Sequence, residues 1–285
     1  MADRRRWMMK DIVVHLDGGA EDETRLSYAE QLATGRGAHI TGLYTNVMPD
    51  IAMMATPEAA AAATVFTELE QAAKAQGDAT AARLLERLTR SGLPVELARC
   101  DQRLGELSLA ATSAARCADL FIATCPYRGG DGTNWDGLAE AVLSDSGRGT
   151  LFVPPGLAAG QPAQRIMIAW RDTHDAARAV AEALPLMAAA ARVDLVMVDA
   201  DPGETGAPAA DMARHLARHG AKVDVRAVAS DGRSVAQALT DEAGRGAIDL
   251  LVMGGYGHSR LREWVLGGTT RDILTTTAIP VLMAH

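Results

Sequence analysis

Residues 118–124 read Ala118-Asp-Leu-Phe-Ile-Ala-Thr124, and residues 248–253 read Ile248-Asp-Leu-Leu-Val-Met253. Both runs are short and almost wholly apolar, and an aspartate, Asp119 or Asp249, stands second in each. A strand covered on both sheet faces has this composition, because neither of its faces meets water. The same run twice in a chain of 285 residues points to a repeated unit, and a repeat governs every later inference about fold.

Working outward, the repeat extends in both directions. Gly92-Leu-Pro-Val-Glu-Leu-Ala98 precedes the first run as Gly220-Ala-Lys-Val-Asp-Val-Arg226 precedes the second. Helical spacing fills the gaps at about 66–90, 104–116, 209–218 and 234–244. Each half opens on its own strand, Asp11-Ile-Val-Val-His-Leu-Asp17 or Arg165-Ile-Met-Ile-Ala-Trp170. An amphipathic helix follows each, at about 22–34 and 175–189, and then a second strand, at 39–45 and 193–199. Each half ends in a short apolar strand, 149–153 or 279–283. The Ala-rich stretch 55–63 belongs to the long helix of the first half or leads into it. Strands alternating with helices make βαβ units and hence a parallel sheet. The expectation is an α/β fold: two tandem, five-stranded, mostly parallel sheets with helices on both faces. The Pro- and Gly-bearing stretch Pro154-Pro-Gly-Leu-Ala-Ala-Gly-Gln-Pro162 separates a unit at 1–154 from one at 164–285.

Composition excludes several classes. The formal charge of −8 works against nucleic acid and anionic membranes as partners, and aromatics at 4% leave few platforms for stacked bases. No run approaches the roughly 18–20 apolar residues of a membrane span. Arg4, Arg5 and Arg6 form the one basic cluster and read as a solvated tail, since Lys10, Asp11, His15 and Asp17 interrupt what an export signal needs to be apolar. Cys100, Cys117 and Cys125 are odd in number and lack C-x-x-C spacing, which fits a reducing cytoplasm. Cys117 and Cys125 read as small buried hydrophobes. His215 and His219 stand four apart on a helix without an acidic third ligand, so no metal site is expected. His174 and Asp175 read as a helix start. No catalytic residue is expected either: the chain shows neither a G-x-S-x-G elbow nor a G-K-[ST] phosphate loop.

One motif carries chemistry. After Met253 come Gly254, Gly257 and Gly267 in the spacing G-x2-G-x9-G, with His258 inside the loop and Gly268, Thr269 and Thr270 leading into a helix. Glycines let backbone N–H groups approach a phosphate, and a helix N-terminus adds unpaired donors. Thr269 and Thr270 either cap that helix or offer hydroxyls. A strand-to-helix turn without a ligand satisfies the same spacing.

With these residues in place, the chain resembles the universal stress protein family, in its tandem form, over nearly its whole length. The resemblance implies a Rossmann-like fold shared with adenine-nucleotide hydrolases. It implies a stress-response module whose glycine loop holds ATP phosphates, with magnesium, while an Asp at the end of the first strand contacts the adenine side. On that basis the binding residues are Gly254, Gly257, His258, Gly267, Gly268, Thr269 and Arg171. The chain departs from the family at three points. Gly268 stands where Ser or Thr usually follows the last glycine, and Arg171 replaces the first-strand Asp in the second half. The first half keeps that residue, as Asp17, but lacks the loop spacing around Cys125–Ser146. The first half is therefore expected to be a degenerate copy. Two alternatives stay open: a protein-association module without nucleotide, and a slow ATP hydrolase. The resemblance also implies pairing through the last strands, here internally as a pseudo-dimer, with a homodimer as a further option. The edge strands Gly149–Val153 and Ile279–Met283 are the expected contact.

Overall fold

The computed structural model describes residues 9–50, 59–128, 134–200, 207–255 and 268–285. The N-terminal half contains β1 (Asp11–Leu16), α1 (Glu21–Ala33), β2 (His39–Val47), α2 (Ala59–Thr89), β3 (Val95–Gln102), α3 (Leu104–Arg116), β4 (Leu120–Thr124), α4 (Asp136–Asp145) and β5 (Thr150–Val153). The C-terminal half repeats the order with β6 (Arg165–Ala169), α5 (His174–Met187), β7 (Arg192–Val198), α6 (Ala207–Arg218), β8 (Val223–Val228), α7 (Val235–Gly246), β9 (Leu250–Gly254), α8 (Gly268–Thr276) and β10 (Val281–Ala284). The α/β class and the mostly parallel sheet follow the sequence reading, and the long helix takes in Ala59–Ala63.

The two five-stranded sheets are fused. One ten-stranded sheet runs β3-β2-β1-β4-β5-β10-β9-β6-β7-β8. Every pairing is parallel except the central one, where β10 meets β5 antiparallel with Leu282 opposite Leu151. The two last strands thus pair with each other inside the chain, as expected; what changes is that they are no longer edges but the middle of one sheet, whose edges are β3 and β8. The physical reason is burial. Every residue of β5 and β10 is inaccessible, and such a strand is sealed only between neighbours and under helices on both faces.

Two core layers follow, one on each face, and both run through both halves. One holds Ile12, Leu26, Leu84, Ile168, Val180 and Leu216 under α1, α2, α5 and α6. The other holds Phe121, Leu107, Val142, Leu251, Leu239 and Ile273 under α3, α4, α7 and α8. Polar contacts join the halves around the seam. Arg128 Nε donates to Leu274 O at 3.2 Å, and its other nitrogen donates to Thr277 O at the end of α8. Arg178 of α5 donates to Gly147 O. The connecting segment lies along α1, where Gly156 N donates to Glu21 at 2.8 Å and Ala159 N to Ser27 Oγ at 3.3 Å.

The paired aspartates explain part of the repeat. Asp119 Oδ2 accepts from the backbone N–H groups of Lys10 (2.6 Å) and Asp11 (3.0 Å). Asp249 Oδ2 accepts from those of Gln164 (2.8 Å) and Arg165 (2.9 Å). Each carboxylate satisfies two donors at the start of the first strand of its half, just before the ladder with β4 or β9 begins.

Candidate functional site

The aspartate clips set the two halves in register. Asp17 lies six residues after Asp11, and Arg171 six after Arg165, so Arg171 holds the position of Asp17. Both follow the strand beside which the strand order reverses, β1 next to β4 and β6 next to β9. Open α/β sheets bind ligands at this crevice.

In the C-terminal half the crevice is an open cavity of about 460 Å³. Its floor is the ends of β6, β7 and β9, with Ala169, Met197 and Met253, and α7 supplies Val235 and Leu239 to an apolar wall. Arg171, Asp172, Asp175 and Asp199 bring charge to it, and Gly268, Thr269 and Thr270 present the first turn of α8. The volume and the mix of apolar wall with few polar groups suit a small organic ligand. Arg171 is exposed and makes no ion pair among the described residues. Asp199 has φ 50°, and its Oδ1 accepts from Ser230 N at 2.8 Å. Hydrogen bonding from Ser230 holds that carboxyl below its ordinary range.

Of the residues named from the motif, Gly254, Gly268, Thr269 and Arg171 come together here. Gly257, His258 and Gly267 lie outside the described residues. Gly254 has a packing role as well: a Cβ on it would stand 2.7 Å from Ala176 N and 2.8 Å from Asp175 C. Only glycine lets the N-terminus of α5 sit this close to the end of β9. Gly268 is different, since a Cβ there meets nothing within 4 Å. Thr269 and Thr270 lie inside the first turn of α8 rather than capping it. Asp199, Val235 and Leu239 were missed by the motif, because they come from β7 and α7 with no spacing signal.

Other sequence readings resolve locally. His174 and Asp175 open α5, whose N-cap Thr173 accepts from Ala176 N through its hydroxyl at 3.3 Å. Asp175 Oδ1 also lies 3.3 Å from His285 Nδ1. The rings of His215 and His219 contact edge to face at 4.7 Å, and no metal-binding group of three is found among the described residues. Cys125 is buried, and burial pushes its thiol up to about 12. Cys117 is exposed, a correction: it caps the C-terminus of α3 ahead of the strand instead of entering the core.

At the same strand end in the N-terminal half, side chains of the chain itself bond to one another. Trp135 Nε1 donates to Asp17 Oδ2 at 2.6 Å, and its ring meets His15 edge-on at 4.7 Å. Arg25, nearly inaccessible, places Nη2 2.8 Å from Asp17 Oδ1 and 2.5 Å from Asp22 Oδ1. Thr45 Oγ1 donates to Leu16 O at 3.2 Å, so it accepts from His15 Nε2 at 2.9 Å, and His15 Nδ1 faces Arg25 Nη1 at 3.4 Å. That order requires a neutral imidazole. Burial, then the Arg25 charge, lowers His15 to about 3. Burial is the largest single influence on Asp17 and pushes it upward, but Arg25, His15 and the Gly19 N–H together outweigh it and hold the carboxyl well below its usual range; in Asp22 burial wins and the shift is upward.

Residues 162–285 match the family described as the universal stress protein family. A stretch of 36 residues, 13% of this chain, is 61% identical to a universal stress protein of Synechocystis sp. and spans only 12% of that relative's length. Among solved structures, a universal stress protein from Archaeoglobus fulgidus is similar over 96% of this chain and 97% of its own, with a TM-score of 0.71 at 13% identity. One from Pseudomonas aeruginosa is similar over 97% and 93%, with a TM-score of 0.60 at 14% identity. Likeness at these identities is a likeness of fold, and it extends over both halves.

Proposed function

Since residues 162–285 belong to the universal stress protein family and the first half repeats their fold, we propose that the chain is a cytoplasmic regulatory module that takes one nucleotide, ATP with magnesium, in its C-terminal half. The carrying observation is the contrast between equivalent crevices. One is open, at about 460 Å³, with the first turn of α8 on its wall; in the other the Trp135 indole is bonded to Asp17, the residue that stands where Arg171 does.

The chemistry of the open crevice supports this reading. The N-terminal turn of α8 offers unpaired N–H groups to phosphate oxygens, and Arg171 adds a charge for pairing. Met197, Val235 and Leu239 suit a flat base. Asp172, Asp175 and Asp199 would repel a bare triphosphate, and they form no metal-holding group among the described residues, so magnesium would come held by the nucleotide's own phosphates. The ion would supply charge neutralisation. No base or Walker-type lysine is assigned, and the reading is of a binder rather than a catalyst.

Calorimetric titration with magnesium–ATP tests it. Saturable binding at one site per chain is expected. Gly268→Ser adds a hydroxyl where the space is open and should tighten binding about tenfold, the effect of one hydrogen bond to a charged group. Absence of heat with ATP, ADP and AMP in both proteins would reject nucleotide binding and leave the association-module reading, with Arg171 as its cause.

A further inference from the structure

The sheet ends at β8, and no strand among the described residues pairs with its outer side. In the parallel ladder with β7, Val193 N donates to Lys222 O and Asp199 N to Val228 O. Even-numbered residues of β8 therefore turn their backbone groups toward β7, and Val223, Val225 and Ala227 turn theirs outward. Val225 is also 45% exposed, whereas Val193 and Val196 of the neighbouring strand β7 are buried. An edge with free N–H and C=O groups is a template for another strand.

The side chains say which strand. An antiparallel two-fold centred on Val225 sets Val225 against its own copy and Val223 against Ala227 of the copy, so all outward backbone groups find partners. It also sets Asp224 opposite Arg226 of the copy, twice, on one sheet face. Opposite charges directly across a ladder stabilise the pair. Moving the axis by one residue puts Asp224 on Asp224 or Arg226 on Arg226, so the register is specified by charge. Both side chains reach solvent, Asp224 at 63% and Arg226 at 40%, although Arg192 and Glu242 also contact them within the chain. The opposite edge, β3, lacks this availability. Its Arg99 (21% exposed) and Asp101 (33%) bond to each other at 2.9 Å, and Arg99 is drawn onto α2 by Asp78 and by Lys74 O.

We propose that β8 is a self-association edge, and that two copies of this chain join β8 to β8 in antiparallel register about Val225, making one sheet of both molecules. The claim is independent of nucleotide binding.

Sedimentation velocity from micromolar to millimolar protein tests it. The wild type should pass from monomer to dimer with rising concentration. Val225→Pro removes only an outward N–H and keeps the β7 ladder, so it should stay monomeric with an unchanged circular dichroism spectrum. Val225→Thr keeps the N–H and should still dimerise. Asp224→Lys sets like charges across the pair and should weaken the dimer, with partial recovery at high salt. A wild type that remains monomeric, a Val225→Pro that dimerises normally, or equal loss in Val225→Pro and Val225→Thr would each overturn the proposal.

Discussion

Gly254→Ala should lower stability by about 3 kcal/mol and remove ligand binding in the C-terminal half. The added methyl would stand 2.7 Å from Ala176 N and 2.8 Å from Asp175 C, and neither obstacle can rotate away, because both are backbone. The first turn of α5 would have to lift. That helix buries Ala176, Ala179, Val180, Ala183 and Leu184 in the core, so the shift is resisted along its length. It also carries Asp175 and Ala176, which line the cavity. For a chain of this size the cost corresponds to a drop of roughly 5 °C in the thermal midpoint. Calorimetric unfolding and magnesium–ATP titration check both parts. Gly268→Ala is the matched control: its Cβ meets open space, so stability should barely change. Equal midpoints in the two variants would contradict the close approach of α5 to β9.

Acidification should destabilise the protein through His15. In the folded state this imidazole is buried and neutral, with burial and then Arg25 lowering it from 6.5 to about 3. Once unfolded it protonates near its ordinary value. Between those two values the unfolded chain binds the extra proton, so stability rises with pH; it is fully present above 6.5 and lost as pH falls toward 3. At pH 5 the loss from this residue alone is about 2 kcal/mol relative to pH 7. Asp17, held low by Arg25 against its own burial, adds a loss at still lower pH; Asp22, raised by burial, acts in the opposite direction. His15→Gln keeps a donor for Thr45 without the titration. Its thermal midpoint should fall less between pH 7 and pH 5 than that of the wild type, and parallel slopes for the two would exclude His15 as the source.

The fold could be read because strands covered on both faces leave an unbroken apolar signature, and because Asp119 and Asp249 mark equivalent points. The seam could not be read from pattern alone, since which strand lies beside which is a tertiary outcome. One local cue was present: β5 and β10 lack the polar alternation and charges that guard an exposed edge. The site was legible where glycines and the strand-end position announce it, at Gly254, Gly268 and Arg171. It was not legible at Asp199, contributed by a neighbouring strand, or at Trp135, which reaches Asp17 from 118 residues away. Arg25 left one hint, a cation on the apolar side of α1 three residues after Asp22.

The antiparallel meeting of β5 and β10 has an outcome for how the two copies can drift apart. Because one half is turned by a half rotation against the other, their strand ends open on opposite rims of the slab. A duplicated pair built side by side would have shared one rim, and every change at one crevice would have crowded the other. Here the copies are insulated. One rim carries an indole and a buried charge cluster bonded to Asp17, while the far rim carries the open cavity, so a substitution at either leaves the other's surroundings untouched.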